Sequence, residues 1–167
     1  MNEEHIDMPH RKQMRLKGYN YSQAGCYFVT LCTLHRRVTL GRIVEGDLSV
    51  ASSVVLSWIG EIVETYINNI YIKYKNINID KYVIMPNHIH MIIVLQSGVI
   101  EASTPSNATI PKVIRSLKTL VTKEVGTPIF QESFYDHVIR NEADYLAIWN
   151  YIDTNPIEWA DDEYNQL

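Results

Sequence analysis

Apolar residues recur along this chain with a period that changes from segment to segment. Gly25 to Leu34 (GCYFVTLCTL) is dense in β-branched and aromatic residues, the composition of a strand. Val38 to Val44 follows the basic pair Arg36 and Arg37, with Gly41 as a bulge position, and the two segments predict a hairpin. From Ala51 to Ile72, Val54, Val55, Trp58, Ile59, Ile62, Val63, Tyr66, Ile67 and Ile70 return at spacings of three and four. That period predicts one long helix, with Ser49, Ser52 and Ser53 as competing N-caps. Ile77 to Leu95 is almost continuously apolar but broken by Met85-Pro86-Asn87. Pro86 has no N–H for a sheet ladder, so two strands, or one strongly bent strand, are expected to meet there.

Residues 97–111 (SGVIEASTPSNATIP) are rich in Ser, Thr, Pro, Gly and Asn and read as an exposed loop. Beyond it, Lys112 to Glu124 puts Val113, Ile114, Leu117, Leu120 and Val121 on one helix face and Lys112, Arg115 and Lys118 along another. Phe130 to Ile139 reads as a further strand or extended segment. Glu142 to Thr154 reads as a helix ending before Asn155-Pro156. The order β-β-α-β-β-α-β-α predicts an α+β sandwich, an antiparallel sheet covered by helices.

Length and composition narrow the class. A chain of 167 residues with 46% hydrophobic and 20% charged residues suits one folded domain and excludes wholesale disorder. No apolar run reaches the roughly 18 residues of a membrane span, and MNEEHIDMPHRKQMRLKGYN lacks a signal-peptide core, so a cytoplasmic protein is expected. Cys26 and Cys32 lie in an apolar segment and read as buried thiols in a reducing compartment. The net charge of −4 argues mildly against a coat for nucleic acid, but it is unevenly spread. Seven acids and no Lys or Arg follow Arg140, a local −7 that leaves +3 for the preceding residues. A basic surface on the body is therefore compatible with the total.

Two constellations carry candidate chemistry. His88 and His90 flank Ile89 at the start of an expected strand, where the period of two puts both imidazoles on one face about 6–7 Å apart along the backbone. That spacing lets them converge on one metal ion. Core histidines with satisfied hydrogen bonds are the plainer reading, although Met91, Ile92, Ile93 and Val94 already supply the packing. Neither cysteine has ligand spacing to the pair, which disfavours a structural zinc site. On the last helix Tyr151 and Asn155 are four apart and share a face that Ala147 keeps open. A phenol and an amide then point to the same place, with an ordinary packing role as the alternative.

Three segments in order, YNYSQAGCYFVTLCTLHRR, YVIMPNHIHMIIVL and FQESFYDHVIRNEADYLAIWNYIDTNPIEW, resemble the single-tyrosine HUH transposases, in particular the REP-associated tyrosine transposases. The resemblance runs from Tyr19 to Trp159. It implies a ferredoxin-like sandwich with four to five antiparallel strands, arranged as a basic N-terminal arm (1–18), one catalytic domain (19–159) and an acidic C-terminal tail (160–167). It implies a homodimer that cuts and rejoins single-stranded DNA near hairpins through a 5′-phosphotyrosine. By motif match Tyr151 is the nucleophile, and His88, His90 and Asn155 hold Mg²⁺ or Mn²⁺, with no organic cofactor. A domesticated module that binds a DNA hairpin or regulates without efficient cleavage is the alternative. Expected DNA contacts are Arg11, Lys12, Arg15, Lys17, Tyr19 and Tyr21 near the N-terminus, Arg36 and Arg37 at the hairpin tip, and Lys112, Arg115 and Lys118 on the basic helix edge. Tyr27 is a further candidate for stacking on bases. His137, Arg140 and Asn141 match a family motif and read as site-supporting or DNA-contacting, with a buried hydrogen-bond network as the alternative; Gln131 and Asp136 are similar cases.

Overall fold

A computed structural model describes residue 20 and residues 22–46, 51–97 and 108–165. The expected arm 1–18, most of the loop 97–111, and Ser49, Arg11, Lys12, Arg15, Lys17, Tyr19 and Tyr21 lie outside the described residues.

The main sheet is built from β1 (Gly25–Cys32), β4 (Ile77–Ile84), β5 (His88–Leu95) and β6 (Tyr135–Ile139). Its order is β4-β5-β1-β6, antiparallel throughout. Helix α1 (Trp58–Asn68) lies between β1 and β4 in the chain, and α3 (Ile110–Val125) between β5 and β6. This βαββαβ arrangement is a ferredoxin-like α+β sandwich, as the sequence implied. A one-turn helix α2 (Ile70–Lys73) follows α1, and α4 (Glu142–Thr154) follows β6. Among the described residues no helix is long and apolar enough to cross a membrane.

Strand alternation sorts the two central strands into two packing layers. Tyr27, Val29 and Leu31 of β1 and Ile89, Met91 and Ile93 of β5 face α1 and α3, meeting Val63, Ile67, Val113, Ile114, Leu117 and Val121. The intervening Phe28 and Ile92 face the other way and pack with Ile139 and with Ile152 of α4. With both faces covered, β5 is buried almost throughout, which explains its nearly unbroken apolar run. His88 and His90 fall on the α4 face, while Ile89 points to the main core. Tyr27 is fully buried, its hydroxyl donating to the Gln23 carbonyl at 2.7 Å, so it does not serve as a stacking platform.

Two expectations for the first half are corrected. The segment after β1 does not turn back on it. Leu34–Arg36 forms a 3₁₀ turn, and β2 (Gly41–Val44) pairs with β3 (Ser53–Leu56) in a separate two-stranded sheet. The predicted helix from Ala51 therefore begins only at Trp58. Ser57 is its N-cap, accepting from Gly60 N, in place of Ser52 or Ser53. SVVL is β-branched enough to serve as a strand when a partner is available, and tertiary pairing overrides its helical spacing. Gly41 is required by close approach: a Cβ there would stand 2.6 Å from the Val55 carbonyl oxygen.

The break at Met85-Pro86-Asn87 forms the turn between β4 and β5, with Met85 N donating to His88 O at 2.8 Å. The β1–β2 connection clasps this turn: Thr39 N and Leu40 N both donate to Pro86 O at 2.9 Å, and Thr33 N donates to Asn87 O at 2.9 Å. The position of His88 is thus fixed from two sides.

Candidate functional site

The site is assembled on the α4 face of the sheet. α4 starts at Asn141, whose side chain accepts from Asp144 N. Lys81 of β4 pairs with Asp153 and lies 4.8 Å from the Trp149 ring centre, and the Tyr145 hydroxyl donates to Asp80. These contacts, with Ile152 buried beneath, set the rotation of the helix so that Tyr151 reaches the histidines. Tyr151 Oη lies 3.2 Å from His90 Nε2, and the ring centres of His88 and His90 are 4.5 Å apart. Phe28 stacks on His90 at 5.3 Å and meets Tyr151 edge-on at 6.1 Å.

Hydrogen bonding decides how the imidazoles are presented. Asn87 Nδ2 donates to the carbonyls of Arg36 and Tyr164 at 3.1 and 2.7 Å, which fixes its amide so that Oδ1 faces His88 Nδ1 at 2.9 Å. His88 Nδ1 therefore carries the proton, and Nε2 keeps its lone pair. Thr30 Oγ1 stands 2.8 Å from His90 Nδ1 on the neighbouring strand, where Thr30 and His90 are directly paired. With Nδ1–H donating to Thr30, His90 Nε2 accepts the Tyr151 hydroxyl. Burial pushes the His88 pKa from 6.5 to about 4, partly opposed by the Asp162 charge. Burial, with His88 alongside, pushes His90 well below 6.5. Both rings are neutral at physiological pH, the state in which imidazole ligates metals. Burial, aided by Asp162 and Glu163, raises the Tyr151 phenol above its ordinary value, so Tyr151 is protonated at rest.

The open atoms at this locus are lone-pair acceptors. His88 Nε2 and Asn155 Oδ1 are buried with no hydrogen-bond partner, while His88 and Asn155 are 0% and 1% exposed. An unsatisfied buried polar group costs about 1–3 kcal/mol, so two at one locus call for a ligand that accepts their lone pairs. Among the described residues no group of three or more His, Cys, Asp or Glu side chains could hold a metal ion by itself.

The stretch expected as an acidic tail forms one wall of this locus. The Tyr164 ring lies 4.5 Å from His88, and the Trp159 ring stacks on His88 at 6.1 Å. Asn155 Nδ2 donates to Asp162 Oδ2 at 3.0 Å. Arg36 holds this wall: Nη1 donates to the Glu163 carbonyl at 3.0 Å, and the guanidinium lies 4.9 Å from the Tyr164 ring centre. His35 and Arg36 both adopt left-handed backbone, with φ of 54° and 53°, which turns Arg36 toward the site.

The other expected residues divide by position. Arg37 is exposed next to Arg36. Lys112 and Arg115 are exposed on α3, across the sheet from the histidines, and Lys118 donates to the carbonyls of Gln131, Glu132 and Ser133. His137 Nε2 lies 2.9 Å from Asp144 Oδ2, Arg140 N donates to the same oxygen at 3.4 Å, and Asn141 is the α4 cap. These three form a bonded network at the start of α4. Gln131 bridges to Thr33 O at 3.1 Å, and Asp136 is buried on β6. Sequence reading missed Asn87, Thr30, Asp162 and Tyr164. Asn87 immediately precedes His88, and its polar side chain beside an apolar run was a readable signal; the others depend on tertiary contact.

No protein-family model matches the chain. It is 33% identical over 172 residues to an uncharacterised protein of Haemophilus influenzae, covering 92% of each chain. Its fold is similar to that of a REP-associated tyrosine transposase solved bound to a REP hairpin, with a TM-score of 0.63, 24% identity, and coverage of 87% of this chain and 74% of that one. The chain belongs to one family with the Haemophilus influenzae protein and has the fold of a REP-associated tyrosine transposase.

Proposed function

We propose that this protein is a transposase-type enzyme that cleaves and rejoins single-stranded DNA near hairpins through Tyr151. The observation that carries the reading is the 3.2 Å approach of Tyr151 Oη to His90 Nε2, beside the buried lone pairs of His88 and Asn155. The fold likeness to a transposase bound to a hairpin supports the substrate class. His88, His90 and Asn155 would hold Mg²⁺ or Mn²⁺. When bound, such an ion supplies positive charge that polarises the scissile phosphate and favours the phenolate. Without the ion His90 Nε2 holds the Tyr151 hydroxyl at 3.2 Å; ligation by that lone pair would release the hydroxyl toward the phosphate. The phenolic oxygen then bonds to phosphorus as the phosphorus–O3′ bond breaks, leaving a 5′-phosphotyrosine and a free 3′-OH. The link conserves the phosphodiester, so a DNA 3′-OH can reverse it. Arg36 and Arg37 at the rim are the proposed phosphate contacts closest to this chemistry.

Both imidazoles are almost completely buried, and Trp159, Asp162 and Tyr164 lie over the His88 side. This stretch has to move aside before a phosphate reaches His88. That cover favours a second reading, a hairpin-binding module without efficient cleavage. A labelled single strand carrying a hairpin, incubated with Mn²⁺ and wild type, Tyr151→Phe or His88→Ala, separates the two. The enzyme reading expects cutting by wild type alone, with hairpin binding kept by Tyr151→Phe. Equal cutting by Tyr151→Phe would make the nucleophile wrong, and binding without cutting by wild type favours the module.

A further inference from the structure

Helical spacing groups Lys118 with Lys112 and Arg115 on one basic edge of α3, but the fold treats the three differently. Lys112 and Arg115 are exposed, whereas Lys118 is half-buried. Its ammonium donates to three consecutive carbonyls, those of Gln131 at 2.7 Å, Glu132 at 3.0 Å and Ser133 at 3.1 Å, and stands 5.8 Å from the Phe134 ring centre. An ammonium has three protons and no lone pair, so these bonds engage its whole donor set and leave nothing for a DNA phosphate. Three carbonyl oxygens aimed at one point repel one another unless a cation sits among them. Lys118 therefore sets the path of residues 131–133, which have no regular secondary structure of their own.

That path leads to the β4–β5 turn. Gln131 grips the end of β1: its N donates to Cys32 O at 2.9 Å, and its Nε2 donates to Thr33 O at 3.1 Å. Cys32 is paired directly with His88 across the sheet. Thr33 N donates to Asn87 O at 2.9 Å, and Thr33 Oγ1 donates to the same oxygen at 3.0 Å. Asn87 Oδ1 in turn holds the His88 ring. α3 covers the face of the sheet opposite the histidines, and Lys118 gives that layer a polar connection to their turn. We propose that Lys118 is a positioning residue for His88, holding the Gln131–Thr33–Asn87 connection in place from the far layer of the sandwich. Its consequence for DNA cleavage rests on the function proposed above.

Two measurements on the full chain test the assignment, with circular dichroism and thermal unfolding establishing that each variant folds. The first is nuclear magnetic resonance of the DNA-free protein. In Lys118→Met the Asn87 side-chain amide and the His88 Nδ1–H signals are expected to shift, as they are in Gln131→Leu, which removes only the side-chain bond to Thr33. Lys123→Gln, on an exposed lysine of the same helix, is expected to leave them in place. Unchanged signals in Lys118→Met, or equal shifts in Lys123→Gln, would overturn the proposal. The second is cleavage of the labelled hairpin-bearing strand. Lys118→Met is expected to cut about 10–100-fold more slowly, the scale on which a small misplacement is felt. Hairpin affinity should stay within about twofold of wild type at every salt concentration, and Lys118→Arg, which keeps charge and donors in a planar fork, should recover part of the rate. The double variant of Lys118→Met and Gln131→Leu should cut no more than about twofold more slowly than the slower single variant, because both act on one connection. Weaker hairpin binding by Lys118→Met, with a salt slope reduced by about one, would make Lys118 a phosphate contact and overturn the positioning role. Wild-type cleavage by Lys118→Met would overturn it as well. Shifted signals in a wild-type background that never cleaves would sink the function proposed above and leave the hold of Lys118 on His88 established.

Discussion

Each imidazole of the pair gives one nitrogen to the protein and turns the other toward the site. Asn87 fixes the His88 tautomer that leaves its Nε2 lone pair open, and Thr30 Oγ1 holds His90 Nδ1 from the neighbouring strand. Such outer partners orient metal ligands, and their loss typically lowers metal affinity or activity about 10–100-fold. Thr30→Val keeps the shape of a buried residue and deletes only the hydroxyl. Mn²⁺ affinity and DNA cleavage are expected to fall within that range, with recovery in Thr30→Ser; unchanged values in a Mn²⁺ titration would show that Thr30 does not position His90. The residues themselves were the most legible part of the site. His-x-His on a strand and Tyr151 with Asn155 on a helix are local patterns, and the two faces meet where the periods of two and 3.6 direct them. Asn87, although adjacent in sequence, acts through its amide bonds to Arg36 and Tyr164, and no local pattern encodes those.

At the scale of elements, α4 carries the proposed nucleophile and the β4–β5 turn carries the histidines, while the β1–β2 connection holds the turn. The same connection anchors α1: Ser57 N donates to Leu40 O at 2.9 Å, and a Cβ on Gly60 would stand 2.1 Å from that oxygen. Gly60→Ala must therefore separate α1 from the connection. It is expected to destabilise the protein by about 2–4 kcal/mol, a fall in Tm of roughly 5–15 °C. Calorimetry checks this, and an unchanged Tm would contradict the packing described. The four strands of the main sheet and helices α3 and α4 were legible from their apolar spacing and the Pro86 break, but the caps Thr109 and Asn141 were not, and α3 begins at Ile110, inside the stretch expected as a loop. Residues 53–56 were not. Val54 and Val55 fit the helical spacing of the α1 residues that follow, and only pairing with Gly41–Val44 makes them a strand.

The whole molecule couples its acidic end to its histidine pair. Charge summed along the sequence revealed the acids near the C-terminus but not their destination, because the contacts of Asp162 and Tyr164 with His88 and Asn87 join residues up to 77 positions apart. Burying two neutral histidines also makes global stability depend on pH. Their folded pKa values are depressed, so below the unfolded value of 6.5 the unfolded chain binds more protons and stability falls as pH falls. For His88 alone the loss reaches about 2 kcal/mol by pH 5. Urea unfolding of chelator-treated protein should show a midpoint that drops steadily from pH 7 to pH 5; a flat profile would contradict neutral burial of the pair. The central claim, that Tyr151 is the group that takes up DNA, is tested most directly by trapping the linkage itself. Wild-type protein, Mn²⁺ and a hairpin-bearing single strand should yield a covalent protein–DNA adduct that resists denaturation, and mass spectrometry of its peptides should place the nucleotide on Tyr151. An adduct on another residue, or strand cleavage with no adduct, would contradict the account.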